Sequence, residues 1–153
     1  MLEGGATFVK VSHTNYDTHH ENFDFHIEQL GEFDRPFATL LEDLQVRGLL
    51  DSTLVIVASE FGRTPNINRN YGRDHWSRAW SVALAGCGIK GGVVYGKTNA
   101  NGTAVTDGQV NGGHLFHTYL KALGLDPKKN WYVDQRPIQR ADAKAHAIAE
   151  VLA

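Results

Sequence analysis

The stretch that most constrains the fold is STLVIVAS, residues 52–59, a continuous apolar and β-branched run bounded by Asp51 and a polar loop. Runs of this kind lack the alternation of a half-exposed strand and fit a central parallel strand covered on both faces. Before it, residues 6–12 (ATFVKVS) alternate apolar and polar positions and predict another strand. Between the two, Phe23, Ile27, Leu30, Phe37, Leu40, Leu41 and Leu44 recur at helical spacing, predicting an amphipathic helix over 23–47 that Gly31 and Pro36 break or bend and Gly48 ends. Strand, helix and strand in that order predict a right-handed crossover. The expectation is one α/β domain over 1–153, a mostly parallel sheet with flanking helices.

Further along, residues 79–86 (AWSVALAG) and 93–95 read as additional strands. The Asn-Gly and Asp-Gly pairs in KTNANGTAVTDGQ predict a hairpin. Residues 113–123 predict a short helix closed by Gly124, and residues 142–153 a weak terminal one.

Composition narrows the function classes. With 15 Lys and Arg against 17 Asp and Glu, the chain has no basic excess with which to hold nucleic acid. No run of about 18 apolar residues exists to span a membrane, and no signal-peptide pattern follows Met1. One cysteine, Cys87, excludes an internal disulfide and any zinc site built from several thiolates. Eight histidines, four of them between His13 and His26, raise metal binding instead.

In open α/β sheets ligands sit beyond the carboxyl ends of the parallel strands, so the loops after the first two predicted strands carry the interest. The first offers Asp17, His19 and His20; the second offers Glu60, Asp74 and His75. Carboxylates and imidazoles converging from separate loops are the donor set of a divalent metal. Each candidate has a structural alternative. Asp17 and Thr18 also suit a turn or helix cap, Glu60 an ion pair with Arg63, and Asp74 a partner that orients His75. His114 and His117 share a helix face and read as surface or packing residues, and GIKGG lacks the pattern of a phosphate loop.

Taken together, YDTHHENF, DLQVRGLLDSTLVIVASEFGRTPNIN, GRDHWSRAWSVALAGCGIKGGVVYGKT and LFHTYLKALGLDP resemble, in order from about Val9 to Pro127, the C-terminal half of the bacterial domain-of-unknown-function 1501 family. That family is grouped with the alkaline phosphatase and sulfatase superfamily. The resemblance implies a metallohydrolase acting on phosphate or sulfate esters, including those of polysaccharides. It implies a divalent metal (zinc, manganese, iron or calcium) held by Asp17, His19 and His75, with Arg63 or Arg73 facing the oxyanion. Where the superfamily places the Asp-His pair of a second metal, this chain has Glu60 and Phe61, and phenylalanine cannot ligate. The nucleophile expected near the N-terminus of such enzymes has no counterpart before Val9, so the sequence reads as truncated there. A missing N-terminal half, a partner chain or a homo-oligomer would complete it. The family is often exported to the periplasm. The alternative function is a non-catalytic module that binds metal or a partner.

Overall fold

The apolar period that begins at Phe23 becomes one unbroken helix, α1 (Asn22–Val46), in a computed structural model that describes residues 1–153. Neither Gly31 nor Pro36 interrupts it. Pro36 removes the N–H that the Glu32 carbonyl would accept, but both residues are exposed, so water can serve that oxygen and the helix continues. Its end follows the expected pattern. Gly48 sits left-handed at φ 68°, its N–H bonds the Gln45 carbonyl and the Leu49 N–H bonds the Leu44 carbonyl, which together form a Schellman motif.

The predicted parallel sheet is absent. Two helices and four separate two-stranded antiparallel sheets take its place. The run at 52–59 does form a strand, β1 (Leu54–Val57), yet Ile56 remains 42% exposed and β1 is not covered on both faces. Two short strands follow, β2 (Gly62–Arg63) and β3 (His75–Trp76), which pair with each other across the polar loop. β4 (Ala83–Gly86) then returns beside β1, in the register Leu54↔Gly86 to Val57↔Ala83.

The crossover failed because its first strand does not exist. Residues 6–12 take no regular structure, with Phe8 and Val11 82% and 85% exposed, so β1 has no parallel neighbour to receive and pairs antiparallel with the next apolar segment. Residues 93–95 likewise form no strand.

The rest of the chain is a series of local units. β5 (Lys97–Thr98) and β6 (Val105–Asp107) form the hairpin that the Asn-Gly and Asp-Gly pairs predicted. α2 (Gly112–Ala122) opens on a reciprocal capping box. The Asn111 side chain accepts from the His114 N–H, and His114 Nδ1 accepts from the Asn111 N–H. His117 is buried and bonds the Asp142 carbonyl at 2.8 Å, a packing role. A hairpin that the sequence reading did not anticipate, β7 (Asn130–Val133) with β8 (Arg136–Gln139), stands exposed after α2. The predicted terminal helix is reduced to one 3₁₀ turn at Ala149–Val151.

The core is small. Eleven residues are buried, and only Leu44, Leu120, Ala122 and Ile148 among them are apolar core residues. No helix is long and apolar enough to cross a membrane.

Candidate metal centre

Two loops that the sequence reading singled out are clamped together at the start of α1. The segment 18–22 runs alongside 68–73. Arg73 N–H bonds the Thr18 carbonyl at 2.9 Å, Glu21 N–H the Asn70 carbonyl at 3.1 Å, and Asn22 N–H the Tyr71 carbonyl at 3.0 Å. His20 and Tyr71 form an isolated antiparallel bridge.

Close approach is possible because residue 72 is glycine. A Cβ there would lie 2.0 Å from the carbonyl carbon and oxygen of His19. Glu21 (φ 46°) and Tyr71 (φ 57°) adopt left-handed backbone at this junction, a conformation that costs a non-glycine residue roughly 1–2 kcal/mol. Such local strain persists only where surrounding contacts over-determine it.

The clamp brings Asp17 and His19 from the first loop against His75 from β3. Their facing atoms form a tight triangle. Asp17 Oδ1 lies 3.1 Å from His19 Nε2 and 2.9 Å from His75 Nε2, and the two imidazole nitrogens are 3.3 Å apart. All three side chains remain partly open to solvent.

Arg63, on β2, closes one side. Its Nη2 donates to Asp17 Oδ1 at 2.8 Å and its Nη1 to the Arg73 carbonyl at 3.2 Å, with the side chain only 19% exposed. The His75 hydrogen bond and then Arg63 hold the Asp17 carboxyl down at about 2, well below the ordinary carboxylate range. Phe61 packs on the other imidazole, its ring 4.3 Å from that of His75.

The remaining candidates fall elsewhere. Asp74 is not at the triangle, and its side chain makes no hydrogen bond to His75. Its Oδ1 accepts from His19 Nδ1 at 2.8 Å, behind the ring, and from Asn68 Nδ2 at 3.1 Å. Those two bonds, His19 first, lower its pKa. Glu60 is exposed and enters no ion pair, since Arg63 is taken by Asp17. Arg73 is a brace. Its Nη1 donates to the carbonyls of Thr64 and Pro65, and its guanidinium lies 5.9 Å from the Phe23 ring. His20 packs edge-on against Phe25.

Two functional positions were missed, Asn68 and Gly72. The Asn68 side chain organises the whole loop: Oδ1 accepts from the N–H groups of Asn70 and Gly72, and Nδ2 donates to the His19 carbonyl and to Asp74. An Asn opening a short polar NRNYG turn is the available signal for the first half of that role. Nothing local signals its reach across to His19.

No curated protein and no solved structure matches the chain. One family model does, over residues 1–152, and its description is "Protein of unknown function (DUF1501)". With essentially its whole length covered by that match, the chain belongs to the DUF1501 family.

Proposed function

We propose that this chain is a metallohydrolase-like module that holds one divalent cation on Asp17, His19 and His75 and presents it to a phosphate or sulfate ester. The observation that carries the reading is the triangle of donor atoms, with edges of 2.9, 3.1 and 3.3 Å. Metal–ligand bonds of about 2.0–2.1 Å require donor–donor edges of about 3.3–3.4 Å in a tetrahedron and about 2.9 Å in an octahedron. The three atoms therefore need little movement to become one face of either polyhedron.

Two imidazoles and one carboxylate suit zinc, iron or manganese, whereas calcium takes six to eight oxygen donors. Three protein ligands leave further positions open, the arrangement of catalytic rather than structural sites. A bound cation would supply Lewis-acid polarisation of an ester oxygen. The chain's own part is to hold that site: Arg63 hydrogen-bonds Asp17 and adds positive charge beside an anionic substrate, and Arg73 fixes the loop that carries His75.

Elemental analysis of protein prepared without chelator tests the reading. About one equivalent of divalent metal is expected, absent in His75→Ala, with nitrophenyl phosphate or sulfate hydrolysis abolished by chelator. Metal-free wild type, or metal retained in His75→Ala, refutes the site. Metal without turnover leaves a binding module.

A second reading, a partner-binding module, is favoured by the exposed surface. The chain exposes 11250 Å², whereas a folded monomer of its 16.9 kDa mass exposes about 7,700 Å². The excess of roughly 3,500 Å² on one chain is several times the ~800 Å² that each partner buries in a standard interface. Much of it is apolar, including Ile27 and Val46 on α1 and Tyr132 and Val133 on the β7–β8 hairpin. The two readings are compatible, because the donor triangle lies at the loop clamp and these residues lie away from it in the chain.

A further inference from the structure

The two imidazoles of the triangle are held in different ways. A neutral imidazole carries its proton on one nitrogen only, and the partner of one nitrogen decides what the other offers. For His75 the nitrogen facing the triangle is Nε2, the ring lies tilted at 36° against Phe61, and Nδ1 has no hydrogen-bond partner. For His19 the outer nitrogen is fixed. Nδ1 lies 2.8 Å from Asp74 Oδ1, and a carboxylate can only accept, so the Nδ1 proton is placed there and in the neutral ring the Nε2 lone pair faces Asp17 and His75.

Asp74 is itself positioned. The Asn68 amide donates to Asp74 Oδ1 at 3.1 Å and to the His19 backbone carbonyl at 2.9 Å, tying the carboxylate to the residue whose ring it orients. The Thr64 hydroxyl accepts from the Asp74 N–H at 3.1 Å and fixes the backbone from the other side.

We propose that Asp74, braced by Asn68, is a positioning residue that sets the tautomer and angle of His19 for metal ligation. This rests on the reading that Asp17, His19 and His75 hold a divalent cation, and it gives Asp74 a role outside the ligand set. Outer partners of this kind raise the basicity of the ligating nitrogen, and their loss weakens metal binding by roughly 10–100-fold.

Titration of the purified chain with cobalt(II), read by visible absorption, tests the assignment. Asp74→Asn keeps the size of the side chain and an oxygen for Asn68 but removes the charge. It is expected to weaken cobalt binding about 10–100-fold and to shift the absorption bands, which report ligand geometry. Asp74→Glu, which restores a carboxylate, is expected to recover part of the affinity. Circular dichroism and the urea midpoint serve as folding controls for both variants.

Cobalt binding by Asp74→Asn within twofold of wild type, with unchanged bands, overturns the assignment and leaves the metal site standing. Equal loss in Asp74→Asn and Asp74→Glu also overturns it, because the loop and not the carboxylate would then matter. A wild type that takes no cobalt overturns the metal site itself, and this role with it.

Discussion

The substitution Gly72→Ala tests the clamp on which the site depends. The added methyl would meet the His19 carbonyl atoms at 2.0 Å and the His20 nitrogen at 2.4 Å, where ordinary contact begins at 3.4 Å. One segment has to retreat by about 1.4 Å, and backbone bonds of about 3 Å then stretch beyond 4 Å and are lost. Four bonds are at stake: Arg73 to Thr18, Glu21 to Asn70, Asn22 to Tyr71, and the Asn68 amide to His19. At about 1 kcal/mol net each they sum to about 4 kcal/mol, and partial relaxation lowers the expected loss to about 2–4 kcal/mol. An opposing effect is small, since alanine restricts the unfolded chain by only about 0.4–1 kcal/mol. Gly72 is not in a left-handed conformation, so contact alone decides the sign. Urea unfolding is the assay, with zinc binding measured in parallel, because the same retreat separates His19 from His75. Stability within about 0.5 kcal/mol of wild type, together with unchanged zinc affinity, would refute the reasoning.

Acid sensitivity should report the Asp17 network. Its folded pKa of about 2 is depressed below the ordinary carboxylate value of 3.8, so the stabilisation is present above pH 4 and is lost as pH falls towards 2; Asp17→Asn should flatten the wild-type acid transition in that window when both are followed by tryptophan fluorescence. The open apolar surface predicts association: sedimentation velocity should show dimers or larger species that dissociate on dilution, and a purely monomeric chain that binds no hydrophobic dye would count against an interface.

Local periodicity was legible in the sequence and tertiary arrangement was not. α1 was readable because its apolar spacing repeats over more than six turns, and its end was readable because Gly48 can adopt the left-handed conformation that a Schellman closure needs. The β5–β6 hairpin announced itself through turn residues. Strand direction has no such local signature. An apolar run such as 54–57 states only that it will be covered, and whether its neighbour runs parallel depends on a strand elsewhere that residues 6–12 did not supply. In the site, residue types and loops offered Asp17, His19 and His20 with Glu60, Asp74 and His75, and the family resemblance alone picked Asp17, His19 and His75 from among them. Pairings were not legible. Arg63 chose Asp17 over the nearer Glu60, and Asp74 chose His19 over the adjacent His75, since spatial reach across the clamp outweighs proximity in sequence.

An ion-pair cluster explains part of this geometry without any metal. Asp17 Oδ1 accepts from Arg63 and from the Nε2–H of His75, and a carboxylate so served has no unmet need. His19 is the residue that the ion-pair account leaves over. With its proton directed at Asp74 from Nδ1, neutral His19 turns a bare Nε2 lone pair towards the same Asp17 oxygen at 3.1 Å, an acceptor facing an acceptor. Such a contact is relieved by the Nε2–H of His75, 3.3 Å from the same nitrogen, by a second proton on the ring, or by a cation between the atoms. A second proton makes an ion pair of His19 with Asp17, while His75 keeps its own Nε2–H on the same oxygen. A divalent cation would replace both protons, since ligation by His75 moves its own from Nε2 to the unpartnered Nδ1, and it would leave the Asp74–His19 bond and the left-handed turns at Glu21 and Tyr71 in place.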